Sequence, residues 1–520
     1  METVQLSLAD TLIIGLYMLL TLGIAVYFTK SAGKSTKSYF VADSKIPYWA
    51  AGLSIYATTL SAITFMATPE QAYLNDWSYA FTNVAIFAIV PLLIWFYIPF
   101  FRKLGGITAY EYLEERFGPL VRLLGSLLFI LFHIGRIAIV IYLPTLAISS
   151  VTTLNPIWLA IAIGLISVVY TVLGGMEGVI WSDALQGVVL LAGAVIILGV
   201  GLASIDGGLS TVVSDATEEQ KFISSENFSI NNIGLAIPII FLGSIFNTLH
   251  QYTASQDVVQ RYQTTPTVKD TAKSLMTNGY LALLTIPLFY GIGTMLFSYY
   301  QRNGGLPEEV NTSAIVPYFV VHALPIGVAG IVIAAILAAA QSTISSSLNS
   351  ISACATVDVY ERFLSKGRPA SVLFARTLIL VAGVFSMAAA MYLVVTNRSE
   401  TWDLFLDITG LFGVPLAAIF FLGVLTMRSN YLGVAGGIVC GVIAAALVRQ
   451  LEISAFVTSI TAFTVTVIAG YLISLLIGSR RGGTTHNIRA LTVYGLKEKY
   501  NRVSDVEKAR LSANAPETRK

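Results

Sequence analysis

The chain is dominated by apolar runs of about 18–25 residues, the length that spans a bilayer as helix. Such runs leave little choice of fold. Inside lipid every backbone N–H and C=O must be paired, so the chain has to form helices or a closed barrel. The runs are continuous rather than alternating, which argues against a barrel. Only 12% of the residues are charged. Soluble proteins carry about 25%, so there are too few charges here to cover a soluble domain. Soluble enzymes, secreted domains and disordered scaffolds are excluded. An all-α polytopic membrane protein is expected.

Reading apolar runs between turn and charge clusters gives thirteen spans: 9–29, 47–72, 79–101, 122–150, 155–174, 183–204, 231–255, 276–299, 320–350, 371–395, 403–427, 431–449 and 454–478. The first is too long for a signal-peptide core and lacks upstream Lys or Arg, so it reads as a true span. Residues 1–478 then form the membrane domain, followed by a tail, 479–520. From Arg480 to Lys520 there are ten basic and four acidic residues, leaving the rest of the chain at −4. A basic tail beside a last span reads as cytoplasmic. It lacks the interleaved aromatics of a nucleic-acid binder, and no nucleic-acid partner is expected. A short amphipathic helix is expected near 492–511.

Loop charges set the orientation. With the N-terminus outside, Lys30, Lys34, Lys37, Lys45, Arg102, Lys103, Arg116, Arg122, Arg261, Lys269, Lys273, Arg362, Lys366, Arg368 and Arg428 fall inside with the tail. Only Lys221, Arg302, Arg398 and Arg449 fall outside, and the acidic loop at 204–230 lies there too. Spans two to six then start inside and spans seven to eleven outside. Two five-helix units of opposite topology, about 47–204 and 231–427, are implied. Inverted repeats of this kind are a transporter architecture.

Charged and polar groups deep in the spans are costly and mark candidate sites. Arg136 lies mid-span with no acid in its own helix. It reads either as a bidentate clamp for an anionic substrate or as the partner of an acid elsewhere, such as Asp183 or Asp407. His133, one turn away, reads as a packing or hydrogen-bonding residue. Span two carries Thr58, Thr59, Ser61 and Thr64, as an unwound helix would, although hydroxyls also serve helix packing.

In span nine, Ser342, Ser345 and Ser346 share one helix face. Hydroxyls and freed carbonyls suit a hard monovalent cation, and the lack of a dense carboxylate cluster argues against calcium. Asp183, after the glycine-rich turn at 174–178, could neutralise a second cation or cap a helix. Pro238, Gly243, Ser244, Asn247 and Thr248 interrupt span seven and place a second break there. Glu70, Asp403 and Arg376 read as interfacial, and Asp407 lies deeper without an assigned role. Cys354 and Cys440 read as free thiols, with no metal spacing.

The segments YFVADSKIPYWAAGLSIYATTLSAITFM, FFRKLGGITAYEYLEERF, LFHIGRIAI, GGMEGVIWSDALQG, TASQDVVQRY and AAAQSTISSSLNS together resemble the sodium:solute symporter family, and within it the bacterial sodium-coupled sialic acid symporters. The resemblance implies a five-plus-five inverted-repeat fold and two sodium ions. It places one sodium at Ala57, Leu60, Ser342, Ser345 and Ser346, and a second at Asp183 with Ser342, Ser345 and Ser346. It implies that Arg136 holds the sialic acid carboxylate, and that Thr59, Ser61, Thr64 and Asn83 meet its polar groups. Tyr79 would be an aromatic wall, with Asn247 and Thr248 of span seven opposite. Asn83 stands where those symporters carry Gln, Ser244 where they have a bulky aromatic, Thr248 for an amide and Ala62 for a Ser. A roomier pocket near span seven is therefore implied.

The implied activity is sodium-coupled uptake of sialic acid (N-acetylneuraminate) across a bacterial cytoplasmic membrane, by a monomer that is not an enzyme. Alternatives are symport of another carboxylate, a monocarboxylate or an amino acid. A channel or membrane sensor fits less well, for want of a filter motif or signalling domain.

Overall fold

In the computed structural model, residues 4–229, 234, 236–365, 368–396, 409–451, 453–478 and 488–495 are described. Among them the regular elements are all helical, apart from one isolated bridge between Val4 and Thr152. The main helices are α1 (Leu8–Ala32), α2 (Tyr48–Thr59), α3 (Ala62–Leu74), α4 (Trp77–Leu104), α5 (Pro119–Val151), α6 (Pro156–Ala203), α7 (Gly208–Glu218) and α8 (Ile237–Leu249). They continue as α9 (Gln256–Tyr262), α10 (Val268–Arg302), α11 (Val328–Leu364), α12 (Val372–Thr396), α13 (Thr409–Leu425), α14 (Tyr431–Arg449) and α15 (Ala455–Ile477). Among the described residues nine helices are long and apolar enough to cross a membrane, or ten with the bent pair α2–α3 counted as one.

Burial sorts the helices into centre and rim. The apolar window of α11 is 89% buried, against 17% for α1 and 28% for α12, α14 and α15. Lipid is as apolar as leucine, so close packing rather than hydrophobic burial joins such helices. Small residues permit it. A Cβ on Gly193 of α6 would lie 2.4 Å from the Cβ of Ala335 on α11. Gly433, Gly437 and Gly441 form a smooth stripe on α14 against Ser474, Gly470 and Thr466 of α15.

Three positions depart from the sequence reading. Spans 155–174 and 183–204 both fall on α6, whose 48 residues break at Gly175, where φ is +54°. A Cβ there would press on Tyr39 at 2.9 Å and Ala32 at 3.0 Å. Asp183 therefore sits well inside the helix beyond that break and does not cap it. The span-seven break is also displaced. Helix α8 runs unbroken through Gly243 and Ser244, and the chain leaves the helix at Ser255 (φ −84°, ψ 117°). Pro238 sits at the helix start, where no N–H is needed. Gly243 is small because Phe456 crosses it, its Cβ 2.6 Å from where a Cβ on Gly243 would be. Finally, Arg261 is not a loop charge but fully buried. Asp403, Asp407, the start of span 403–427 and most of the tail, with nearly all of the amphipathic helix expected near 492–511, lie outside the described residues.

The two ends of the bundle are fastened differently. At one, Asp215 of α7 pairs with Arg302 at 2.6 Å, and that guanidinium holds the Asp215 carboxyl below its usual range. Lys221 donates to the Tyr73 carbonyl at 2.7 Å. At the other, Arg122 bridges Glu114 and Asp358, each at 2.7 Å, and Lys103 holds the carbonyls of Ala490 and Gly495 in the tail.

Candidate functional site

The break between α2 and α3 bends the pair by 62°. Leu60 (φ −90°, ψ 100°) and Ser61 (φ −93°, ψ 173°) are extended, so the carbonyls just before them lose their helical partners. Side chains from other helices take over. Ser342 Oγ donates to the Ala57 carbonyl at 2.8 Å, and Arg136 Nη2 to the Thr58 carbonyl at 3.1 Å.

The break opens on a cavity of about 220 Å³. Arg136, Thr59, Ser61, Thr64, Asn83, Tyr79, Asn247 and Thr248 all line it, although they come from four separate stretches of chain. Tyr79 meets Phe456 edge-on, ring centres 5.6 Å apart, and both are part of the wall. Asn247 accepts from Ser459 Oγ at 3.0 Å. Thr59 donates back into its own helix, to the Ile55 and Tyr56 carbonyls. Ser244 and His250 line the cavity as well. Arg136 Nε, Ser244 Oγ and His250 Nε2 are buried and have no partner among the described residues. Buried polar atoms left unpaired cost about 1–3 kcal/mol each, so they favour a ligand that pairs with them.

Behind the break lies the serine face of α11. Ser345 Oγ donates to the Ser342 carbonyl at 3.1 Å. Ser345 and Ser346 each reach a carboxylate oxygen of Asp183 at 3.3 Å. Thr58 Oγ1 is 2.9 Å from Ser346 Oγ. Leu60 lines the cavity and is not among the groups bonded in this cluster. The structure thus brings Ala57, Ser342, Ser345, Ser346 and Asp183 into one fully buried corner, where Arg261 Nη2 donates to Asp183 at 2.7 Å and to Ser346 Oγ at 2.6 Å. Its oxygens are of the kind that suit a hard monovalent cation. Among the described residues there is no group of three or more His, Cys, Asp or Glu that could hold a metal.

The charges in the corner are only half legible in the sequence. Arg136 does not pair with Asp183; its partner is Asp257, at 3.0 Å. Asp183 pairs with Arg261 at 2.7 Å. Both new partners lie on α9, just past the second break. A signal for them exists. Two deep, opposite charges each need a counter-charge, and Asp257 and Arg261 are spaced one helical turn apart beside an apolar run. His133 bridges the Ser347 and Ser255 hydroxyls at 2.9 and 3.2 Å, the hydrogen-bonding role expected of it. Cys354 and Cys440 are free, one buried and one exposed.

Comparison with known proteins places this geometry. The model of the sodium:solute symporter family matches residues 39–441. The sodium/sialic acid symporter of Aliivibrio fischeri is 43% identical over 88% of this chain and 91% of its own. That of Proteus mirabilis is 44% identical over 83% and 88%. A solved structure of a sodium-coupled sialic acid symporter, substrate-bound and outward-open, superposes with a TM-score of 0.86 at 41% identity, covering 90% of this chain and 98% of that one.

Proposed function

Because the chain belongs to the sodium:solute symporter family, whose members are membrane transporters and not enzymes, we propose that it imports sialic acid with sodium by alternating access. The observation that carries the reading is one cavity in which Arg136 and seven other polar or aromatic positions converge beside the serine face of α11. Arg136 would hold the carboxylate. Thr59, Ser61, Thr64, Asn83, Asn247 and Thr248 would meet the hydroxyl and amide groups, and Tyr79 with Phe456 would close one side. One sodium would sit among Ala57, Leu60, Ser342, Ser345 and Ser346. A second would sit between Asp183 and the same three serines. The membrane domain would have thirteen spans with five-helix repeats at about 47–204 and 231–427, N-terminus outside and tail inside. It would act as a monomer in a bacterial cytoplasmic membrane.

Sodium and acid need only favour the same conformers for their transport to be coupled. Two sodium ions with one monoanion carry a net positive charge inward, worth about 2.3 kcal/mol per 100 mV. The uptake assay uses proteoliposomes with an inward sodium gradient, a potassium control and an imposed potential. Sodium-dependent uptake of N-acetylneuraminate, faster when the inside is negative, is the expected result. No uptake by correctly reconstituted protein refutes the substrate.

A second reading, symport of another carboxylate, has its own support. Arg136 recognises only the acid group. The chain is also 30% identical to human sodium-coupled monocarboxylate transporter 1 over 82% of its length and 70% of that protein. Short monocarboxylates and amino acids in the same assay decide between the two.

A further inference from the structure

Four buried charges form two ion pairs, and one short helix supplies a member of each. Asp257, in the first turn of α9, holds Arg136; Arg261, one turn later, holds Asp183. None of the four side chains is more than 3% exposed. Arg136 belongs to the cavity and Asp183 to the serine corner. Helix α9 therefore joins the group proposed to hold the acid with the group proposed to hold an ion.

Stripping one partner from a buried pair is strongly unfavourable, because the other is left uncompensated. Any ion arriving at either end must therefore re-pair the charge it displaces. The i, i+4 spacing places Asp257 and Arg261 within reach of one another, and an Arg261 N–H already donates to the Asp257 backbone carbonyl. Asp257 also keeps other donors: Ser255 Oγ at 2.5 Å, the Val258 N–H at 2.9 Å and Gln251 Nε2 at 3.3 Å. It can change its cationic partner without losing its other hydrogen bonds.

We propose that the two pairs exchange partners when the protein loads, and that this exchange couples the acid to the ion; the inference rests on the sodium and sialic acid reading above. Sodium at Asp183 displaces Arg261. Arg261 turns to Asp257. Asp257 releases Arg136, which takes the substrate carboxylate. With both ligands bound every charge is paired, as it is with neither. With sodium alone Arg136 is unpaired, and with the acid alone Asp183 is unpaired. Each ligand therefore tightens the other. Asp257 and Arg261 are positioning residues that need never touch the acid.

The test is equilibrium binding of N-acetylneuraminate to the purified full-length protein in nanodiscs, titrated from zero to saturating sodium at constant ionic strength. Sodium is expected to tighten wild-type binding by roughly 5–150-fold, the range usual for coupled sites. In Asp257→Asn, Arg136 is permanently free. Acid binding without sodium should then become tighter than wild type, and the ratio should collapse toward one. Asp257→Glu keeps the charge and should keep the ratio, whereas a merely structural role would suffer from both substitutions. An unchanged ratio in Asp257→Asn overturns the exchange. A measurement on wild-type protein needs no substitution: the uncharged methyl ester of N-acetylneuraminate cannot draw Arg136 from Asp257, so sodium should leave its affinity unchanged. Ester binding that tightens with sodium as much as the acid's also overturns the exchange. Failure of the wild type to bind the acid at any sodium concentration instead refutes the substrate reading on which the exchange rests.

Discussion

The two helix breaks beside the cavity are held open by different means. At the first, between α2 and α3, the freed carbonyls of Ala57 and Thr58 are met by Ser342, Thr343 and Arg136 from other helices. At the second, before α9, the partners are rigid and mostly local. Tyr110 donates to the Ala254 carbonyl at 2.8 Å, Tyr262 to the Tyr252 carbonyl at 2.8 Å, and the Ser255 N–H to the His250 carbonyl at 3.0 Å. Small hydroxyls and a charge can hand a carbonyl over to a bound ion. Buried aromatic props cannot move without disturbing the core around them. The first break is held by side chains that could give up their carbonyls to a ligand, as proposed above. The second is a fixed platform that carries Asp257 and Arg261 to their positions.

Substitutions should separate the two breaks. The largest effect is expected at the first, where Arg136→Ala takes the guanidinium out of the cavity. Sodium-driven uptake should fall about 100-fold or more, the scale of a lost charge-assisted contact. Ser345→Ala comes next: the sodium concentration for half-maximal uptake should rise about tenfold, from the loss of one oxygen ligand. An unchanged sodium requirement would remove this face of α11 from the ion site.

At the second break the readout should be stability rather than ion dependence. Tyr110→Phe leaves the Ala254 carbonyl without its donor. The cost should be about 1–3 kcal/mol. The melting temperature should drop while the sodium requirement stays as in wild type. A shifted sodium requirement would mean that this break also exchanges partners.

The smallest effect is expected far from both, at Asp215. Its carboxyl is held below the usual range by Arg302. The pair therefore stabilises the protein above the ordinary carboxylate pKa, and that stability is lost as pH falls below about 4. Asp215→Asn should lower the melting temperature by about 1–2 °C near neutral pH, a small effect because Arg302 is half-exposed to solvent, and by less in acid. A drop that persists undiminished well below the ordinary carboxylate pKa would contradict this assignment.

The same contrast explains what can be read from the chain alone. The first break has a local signature: four hydroxyl residues in a short apolar stretch, and a serine face at helical spacing. Arg136 stands out because no acid shares its helix. The second break has no such local sign. Pro238 and Gly243 point to the wrong turn, since a proline at a helix start and a glycine under a crossing phenylalanine look the same in sequence as a break. Arg261 reads as a loop charge because its neighbours Gln256, Asp257 and Gln260 are polar. Its burial depends on Asp183, 78 positions away. Likewise the reversal expected between 174 and 183 is carried by one glycine, Gly175, inside what otherwise remains helix. Long-range charge pairing and packing set these features, and the only trace of them in the sequence is the one-turn spacing of Asp257 and Arg261 beside an apolar run.

The most direct test of the account is binding to purified Arg136→Ala protein, followed by two signals at once. One is the sodium-induced change in intrinsic tryptophan fluorescence; the other is retention of labelled N-acetylneuraminate in saturating sodium. The sodium response should remain and acid binding should be lost. Acid binding close to that of wild type, or a sodium response that vanishes with the arginine, would contradict the division of the site into an acid clamp and an ion face.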